Sequence, residues 1–198
     1  MRRSHTCMLS AVRMLKLAFI GTHSVGKTTL CYGLGARLKA ADVVLDIVHE
    51  VARRCPLPIN GETSLAAQSW ILHTQIADEL VASARHPVVL CDRSVLDNYV
   101  YLLLSSGRAD HGVEALVAWW LRTYDLLVYV PVVDHPRADG LRALDPDFQR
   151  AVDARLIEEL EARELAPLRL EPDRRERWLE DVEDVIRDRV LPPQLPLL

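Results

Sequence analysis

Apolar positions along the chain follow two alternating rhythms. Short, near-continuously apolar runs occur at Leu15–Ile20 (LKLAFI), Val43–Val48 (VVLDIV), Pro87–Cys91 (PVVLC) and Leu126–Val133 (LLVYVPVV), with a shorter one at Pro167–Leu170. Between them lie stretches whose apolar residues recur at helical spacing: Lys27 to about Ala40, Ser64–Ala84, Val95–Ser105, Val113–Arg122, Asp147–Leu165 and Arg174–Val190. Strands without polar alternation are covered on both faces, and strands that alternate with helices pair in parallel. The pattern therefore predicts an α/β sandwich, and no internal repeat or linker divides it. A leader over residues 1–14, one domain over 15–191 and an extended tail over 192–198 are expected.

In such a sheet, ligands bind beyond the carboxyl ends of the strands, so the residues after each strand carry the chemistry. After the first strand stands Gly21-Thr22-His23-Ser24-Val25-Gly26-Lys27-Thr28, followed by Thr29. This is the GxxxxGK[ST] pattern of a phosphate-binding loop, or Walker A motif. Its glycines let successive N–H groups turn inward on a phosphate, and the helix that follows adds its positive end. Charge usage singles out the lysine. Only Lys16, Lys27 and Lys39 are lysines among the 24 Lys and Arg residues. A compact ammonium fits between β- and γ-phosphates where a planar guanidinium does not. Thr28 offers a hydroxyl to Mg²⁺. The alternative is a glycine-rich turn opening an ordinary helix.

After the third strand comes Asp92-Arg93-Ser94. A carboxylate at the end of a buried strand completes Mg²⁺ binding in phosphate-loop enzymes, whereas the bland alternative makes Asp92 or Ser94 a helix N-cap. After the second strand, His49-Glu50-Val51-Ala52-Arg53-Arg54 places Glu50 where an acceptor would lie and could surrender a hydroxyl proton. Arg53 is positioned to hold a phosphate or the acceptor; a solvated helix start is the competing reading. His49 reads as a structural hydrogen-bonding group and His23 as a variable loop position. After the fourth strand, Arg137 and Arg142 lie in a loop that could close over a triphosphate, with Arg150 beyond them and Arg155 read as a surface partner of Glu158 or Glu159. Trp70, His73 and Gln75 are candidates for an acceptor pocket, with core packing the default for Trp70. The run Asp173–Arg189 reads as a solvated face with i,i+4 pairs.

Taken together, Gly21–Thr28, Glu50 with Ala52-Arg53, Asp92-Arg93-Ser94 and Asp139-Gly140-Leu141-Arg142 resemble a P-loop kinase over residues 15 to 190. The resemblance is nearest to the AAA-type ATPase/kinase domain of NadR-type ribosylnicotinamide kinases, and deoxyribonucleoside kinases look similar. It implies a three-layer sandwich with a five-stranded parallel sheet, a P-loop NTPase fold. It further implies Lys27 and Thr28 on the nucleotide and Mg²⁺, Asp92 on the metal, and Arg93 on acceptor or phosphate. Glu50 would be base or acceptor ligand, and Arg137 and Arg142 would belong to a lid.

These readings converge on an ATP-dependent phosphotransferase acting on a small hydroxyl acceptor, a nucleoside or nucleotide. A polynucleotide 5′-hydroxyl kinase is the alternative, but a net charge of −4 gives no broad electrostatic grip on nucleic acid. A regulatory ATP- or GTP-binding protein is the third class. The chain has no NKxD, no DxxG after the third strand and no LSGGQ-like signature. No apolar run approaches a membrane span, and Cys7, Cys31, Cys55 and Cys91 are scattered without metal spacing, so a cytoplasmic protein with reduced thiols is expected.

Overall fold

The computed structural model describes residues 14–59, 63–107, 111–133 and 145–190. Five strands, β1 (Leu15–Ile20), β2 (Leu45–Val48), β3 (Val88–Asp92), β4 (Leu126–Tyr129) and β5 (Leu168–Arg169), form one sheet in the order β2-β3-β1-β4-β5. Every pairing is parallel, with Leu17 of β1 opposite Leu90 of β3 and Leu126 of β4. Among the described residues six α-helices accompany them: α1 (Lys27–Ala40), α2 (Leu65–Arg85), α3 (Val95–Ser106), α4 (His111–Leu121), α5 (Pro146–Ala162) and α6 (Trp178–Val190). No helix among the described residues is long and apolar enough to cross a membrane.

All six residues of β1 are buried, because both faces of the sheet are covered. Leu15, Leu17 and Phe19 pack with Leu30, Leu34 and Leu38 of α1 and with Trp178, Val182 and Ile186 of α6. Ala18 and Ile20 point the other way, into a layer built with Leu72 of α2, Leu96 and Val100 of α3, Trp120 of α4 and Leu156 of α5. Two hydrophobic cores thus clamp the central strand and fix the level at which β1 ends. That level positions the site.

Some element ends differ from the sequence expectation. β2 begins at Leu45 rather than Val43, and β4 stops at Tyr129 rather than Val133. Apolar residues beyond a strand can be buried by packing without a ladder partner, as Val43 is, whereas Val130 still donates its N–H to the Ile20 carbonyl at 2.9 Å and Val133 is exposed. The last helix starts at Trp178, preceded by a 3-10 turn over Pro172–Arg177 that is interrupted at Arg174. Charges of this segment pair at i,i+3 (Arg177 with Glu180, Arg187 with Asp184) and across to Arg37 of α1 (Glu183), and its other face is core. The expected leader lies outside the described residues except for Met14, and the expected tail lies wholly outside them.

Candidate active site

The chain leaves β1 through backbone that only a few residues accept. Gly21 has φ +146°, and a Cβ there would sit 2.6 Å from the carbonyl oxygen of Val130. Ser24 and Gly26 are also left-handed, at φ +63° and +101°. Turns of this kind make neighbouring N–H groups converge on an anion. Gly26 caps α1 without any side-chain hydrogen bond, and the first turn of α1 carries no acid. The helix start is therefore left to an outside anion.

Lys27 folds back over this loop. Its ammonium donates to the carbonyl of Gly21 at 2.7 Å and to that of Thr22. Burial lowers its pKa from the usual 10.5 to about 7, and the Arg93 charge adds to the effect; Asp97, Glu50 and Asp92 oppose it. The consequence has a definite sign. A triphosphate binds the charged form, so affinity is full below pH 7 and declines as pH rises above it, and binding at pH 8 takes up a proton. Calorimetry at pH 8 in buffers of different ionisation enthalpy reads that uptake, and a buffer-independent heat would contradict this account of Lys27.

The other expected members gather around the loop. Thr28 donates its hydroxyl to Asp92 Oδ2 at 2.6 Å, across the gap between α1 and the end of β3. One hydroxyl and one carboxylate side by side suit Mg²⁺, which uses few protein ligands and takes the rest from phosphate and water. Glu50, just past β2, is 7% exposed. Its Oε1 accepts from both Nε and Nη2 of Arg93 at 2.8 Å, and its Oε2 from Nε of Arg53 at 2.8 Å. Arg93 is buried although its φ is +111°, a conformation costly for a residue with a side chain. Burial works against its charge, but Glu50, with Tyr101, Asp97 and Asp92, outweighs burial and raises its pKa. Its guanidinium also lies 5.1 Å from the Tyr101 ring.

Two loop residues behave differently from expectation. His23 is an anchor rather than a free position: Nδ1 pairs with the Tyr101 hydroxyl at 3.1 Å, the ring stacks on Phe148, and Gln149 of α5 donates to its carbonyl at 2.9 Å. Val25 points into the core beside α1, so only its backbone remains for a ligand. Thr29 is exposed.

Asp97 escaped the sequence reading. Its Oδ1 accepts the Gly21 N–H at 3.0 Å, and its Oδ2 accepts from the backbone and hydroxyl of Ser94 at 2.8 Å. A capping box ties Ser94 to Asp97, and this one also fastens the loop to α3. The Ser-x-x-acid spacing was the available signal.

His49 makes the structural bond expected of it, with the Tyr32 hydroxyl at 2.9 Å. Arg155 bonds Glu158 and Glu159, and exposed Arg150 bonds Asp147. Trp70 is half-buried on α2. Exposed His73 bonds the Ser69 carbonyl of its own helix. Arg137, Asp139, Gly140, Leu141 and Arg142 lie outside the described residues.

Solved structures that share this fold include three kinase structures. Deoxyadenosine kinase from M. mycoides with the products dCMP and dCDP matches at a TM-score of 0.62 and 14% identity, over 88% of this chain and 100% of that one. The same enzyme with dATP bound matches at 0.57 and 13%, over 87% and 99%. Thymidylate kinase from Ehrlichia chaffeensis matches at 0.58 and 16%, over 80% and 87%. At these identities the likeness is one of fold: a five-stranded parallel sheet flanked by helices, as in P-loop nucleoside kinases. No curated protein matches the chain in sequence. The model of the AAA domain matches residues 16–177, a span that begins inside β1 and contains the loop, Glu50 and the Asp92–Asp97 segment. The chain belongs to the AAA domain family.

Proposed function

We propose that this protein transfers the γ-phosphoryl group of ATP, with Mg²⁺, to a nucleoside or nucleotide, in the manner of the ribosylnicotinamide-kinase domain it resembles. The observation that carries the reading is the Glu50–Arg93 pair, buried at the carboxyl end of the sheet and felt electrostatically by Lys27. A protein that only hydrolyses nucleotide has to position water. A buried, arginine-held carboxylate on the far side of the phosphate loop suits an organic acceptor. The fold neighbours named above, which include structures with deoxynucleotides bound, support the same acceptor class.

In this reading the loop amides and Lys27 hold the β- and γ-phosphates, and Thr28 with Asp92 holds the metal, which supplies charge neutralisation to the phosphates. Arg93 fixes the Glu50 carboxylate. Glu50 orients the acceptor hydroxyl in line with the γ-phosphorus and takes its proton as the new P–O bond forms and the bond to the β-phosphate oxygen breaks. Arg53, on the more exposed side of Glu50, is placed for a phosphate on the acceptor. Cytoplasmic location accords with reduced thiols and nucleotide substrates.

Incubation with γ-labelled ATP and a panel of nucleosides, nucleotides and short oligonucleotides tests the proposal. Label is expected on a monomeric acceptor. Transfer only to oligonucleotide ends, or ATP hydrolysis without acceptor as fast as with the best one, would overturn it.

A further inference from the structure

Lys16 is buried near the start of β1, at the opposite end of the strand from the phosphate loop. Its ammonium sits 2.5 Å from Glu79 Oε2, donates to Thr123 Oγ1 at 2.8 Å, and lies 4.4 and 4.6 Å from the rings of Trp120 and Tyr124. Glu79 is fully buried in α2 and accepts four donors. Oε2 takes Lys16 and the indole N–H of Trp120 at 2.7 Å; Oε1 takes the Tyr124 hydroxyl at 2.6 Å and the Gln75 amide at 2.8 Å. All the acceptor capacity of the carboxylate is filled, so its position is fixed.

Two of those donors reach onward to one short segment. Gln75 Nε2 also donates to the carbonyl of Arg93 at 3.3 Å. The Tyr124 hydroxyl accepts the N–H of Val95 at 3.1 Å. The carbonyl of Arg93 and the amide of Val95 flank Ser94, so Glu79 grips both sides of the turn through two bridges. The Gln75 amide cannot reverse without setting its oxygen against the carboxylate. In the observed orientation Gln75 Oε1 has no hydrogen-bond partner and is buried, a cost accepted for the two donor bonds. The gripped residue is the one held at φ +111°. A strained backbone persists only where its surroundings over-determine it.

We propose that Glu79, charge-balanced by Lys16, is a positioning residue that holds the Arg93–Val95 turn so that the Arg93 guanidinium meets Glu50. The inference deepens the phosphotransfer reading and rests on it for its catalytic consequence. Its structural content stands separately. Glu79 touches neither nucleotide nor acceptor in this scheme; it acts through Gln75 and Tyr124.

Glu79→Gln leaves the Lys16 charge unpaired in the core and is expected to unfold, so the test uses the two bridges. Tyr124→Phe and Gln75→Met each remove one bridge, and Val182→Ala, in the opposite core layer, is the stability control. Four quantities are read: kcat, acceptor KM, Kd for ATP with Mg²⁺, and hydrogen exchange of the Arg93 Nε–H by NMR. Each bridge variant is expected to lower kcat/KM for the acceptor about tenfold, leave Kd for ATP within about twofold, and speed exchange of the Arg93 Nε–H; Val182→Ala should do none of these. Unchanged Nε–H exchange, or losses no greater than those of the control, would overturn the proposal. Wild-type protein inactive on every acceptor would instead sink the phosphotransfer reading, and the exchange measurement alone would then decide the role of Glu79.

Discussion

Replacement of Lys27 by alanine is expected to abolish phosphoryl transfer and triphosphate binding while leaving the fold at least as stable as before. The two effects have one cause. Without ligand, Lys27 is 5% exposed and its ammonium rests on the carbonyls of Gly21 and Thr22. Burial lowers its pKa to about 7 against the usual 10.5, the mark of a charge that folding disfavours. That cost is full below pH 7 and is relieved as pH rises toward 10.5, so removing the lysine helps the free protein most at neutral and acid pH. Bound triphosphate reverses the balance by facing the ammonium with negative charge. Loss of a preorganised charge at a transferring phosphoryl group costs roughly a thousandfold or more in turnover. Steady-state assay, calorimetry and thermal unfolding of the one variant check all three statements. A Lys27→Ala protein that turns over normally would remove the phosphate loop from the chemistry.

Glu50→Gln should fail differently, in turnover and in stability together. The carboxylate neutralises Arg93, which is buried, and Arg53, which is 41% exposed in its side chain. An uncharged amide leaves the Arg93 guanidinium in the core without its counter-charge, and breaking a buried pair from one side costs about 3–5 kcal/mol. For a domain of this size that is roughly a 10 °C drop in Tm. Losing the group that orients and deprotonates the acceptor should lower kcat by about a hundredfold or more, with ATP affinity changed far less. Arg53→Ala isolates the exposed half of the arrangement and is expected to cost under about 1 kcal/mol. Glu50→Gln protein with wild-type melting and wild-type kcat would mean that the Arg93 pair is neither structural nor catalytic.

What the sequence could disclose followed the range of the interactions involved. β1, the loop and α1 were legible to the residue, because Gly21, Gly26 and the apolar run before them encode a local backbone path. The doubly covered parallel sheet was legible because strands buried on both sides lose their alternation. The Thr28–Asp92 contact was half legible: each residue stood at the end of its own element, but 64 positions separate them. Strand ends were misjudged at Val43, which is buried by packing, and at Val133, which is exposed, since apolar character alone does not mark a ladder partner.

The fold class, the phosphate loop, Glu50 just past β2 and Asp92 at the carboxyl end of β3, as its last residue, were thus written in the chain itself. These are properties of consecutive residues, set by φ, by period and by the apolar runs. Only the tertiary structure decided that Glu50 is gripped by two arginines, that Asp97 of α3 fastens Gly21, and that Lys16 and Glu79 meet inside an aromatic box. The Arg53 contact is local, but Arg93 lies 43 positions from Glu50 and Asp97 lies 76 from Gly21, and their meeting depends on the strand order, which brings β3 beside β1. A buried charge finds its partner through that packing, and spacing along the chain carries no trace of it.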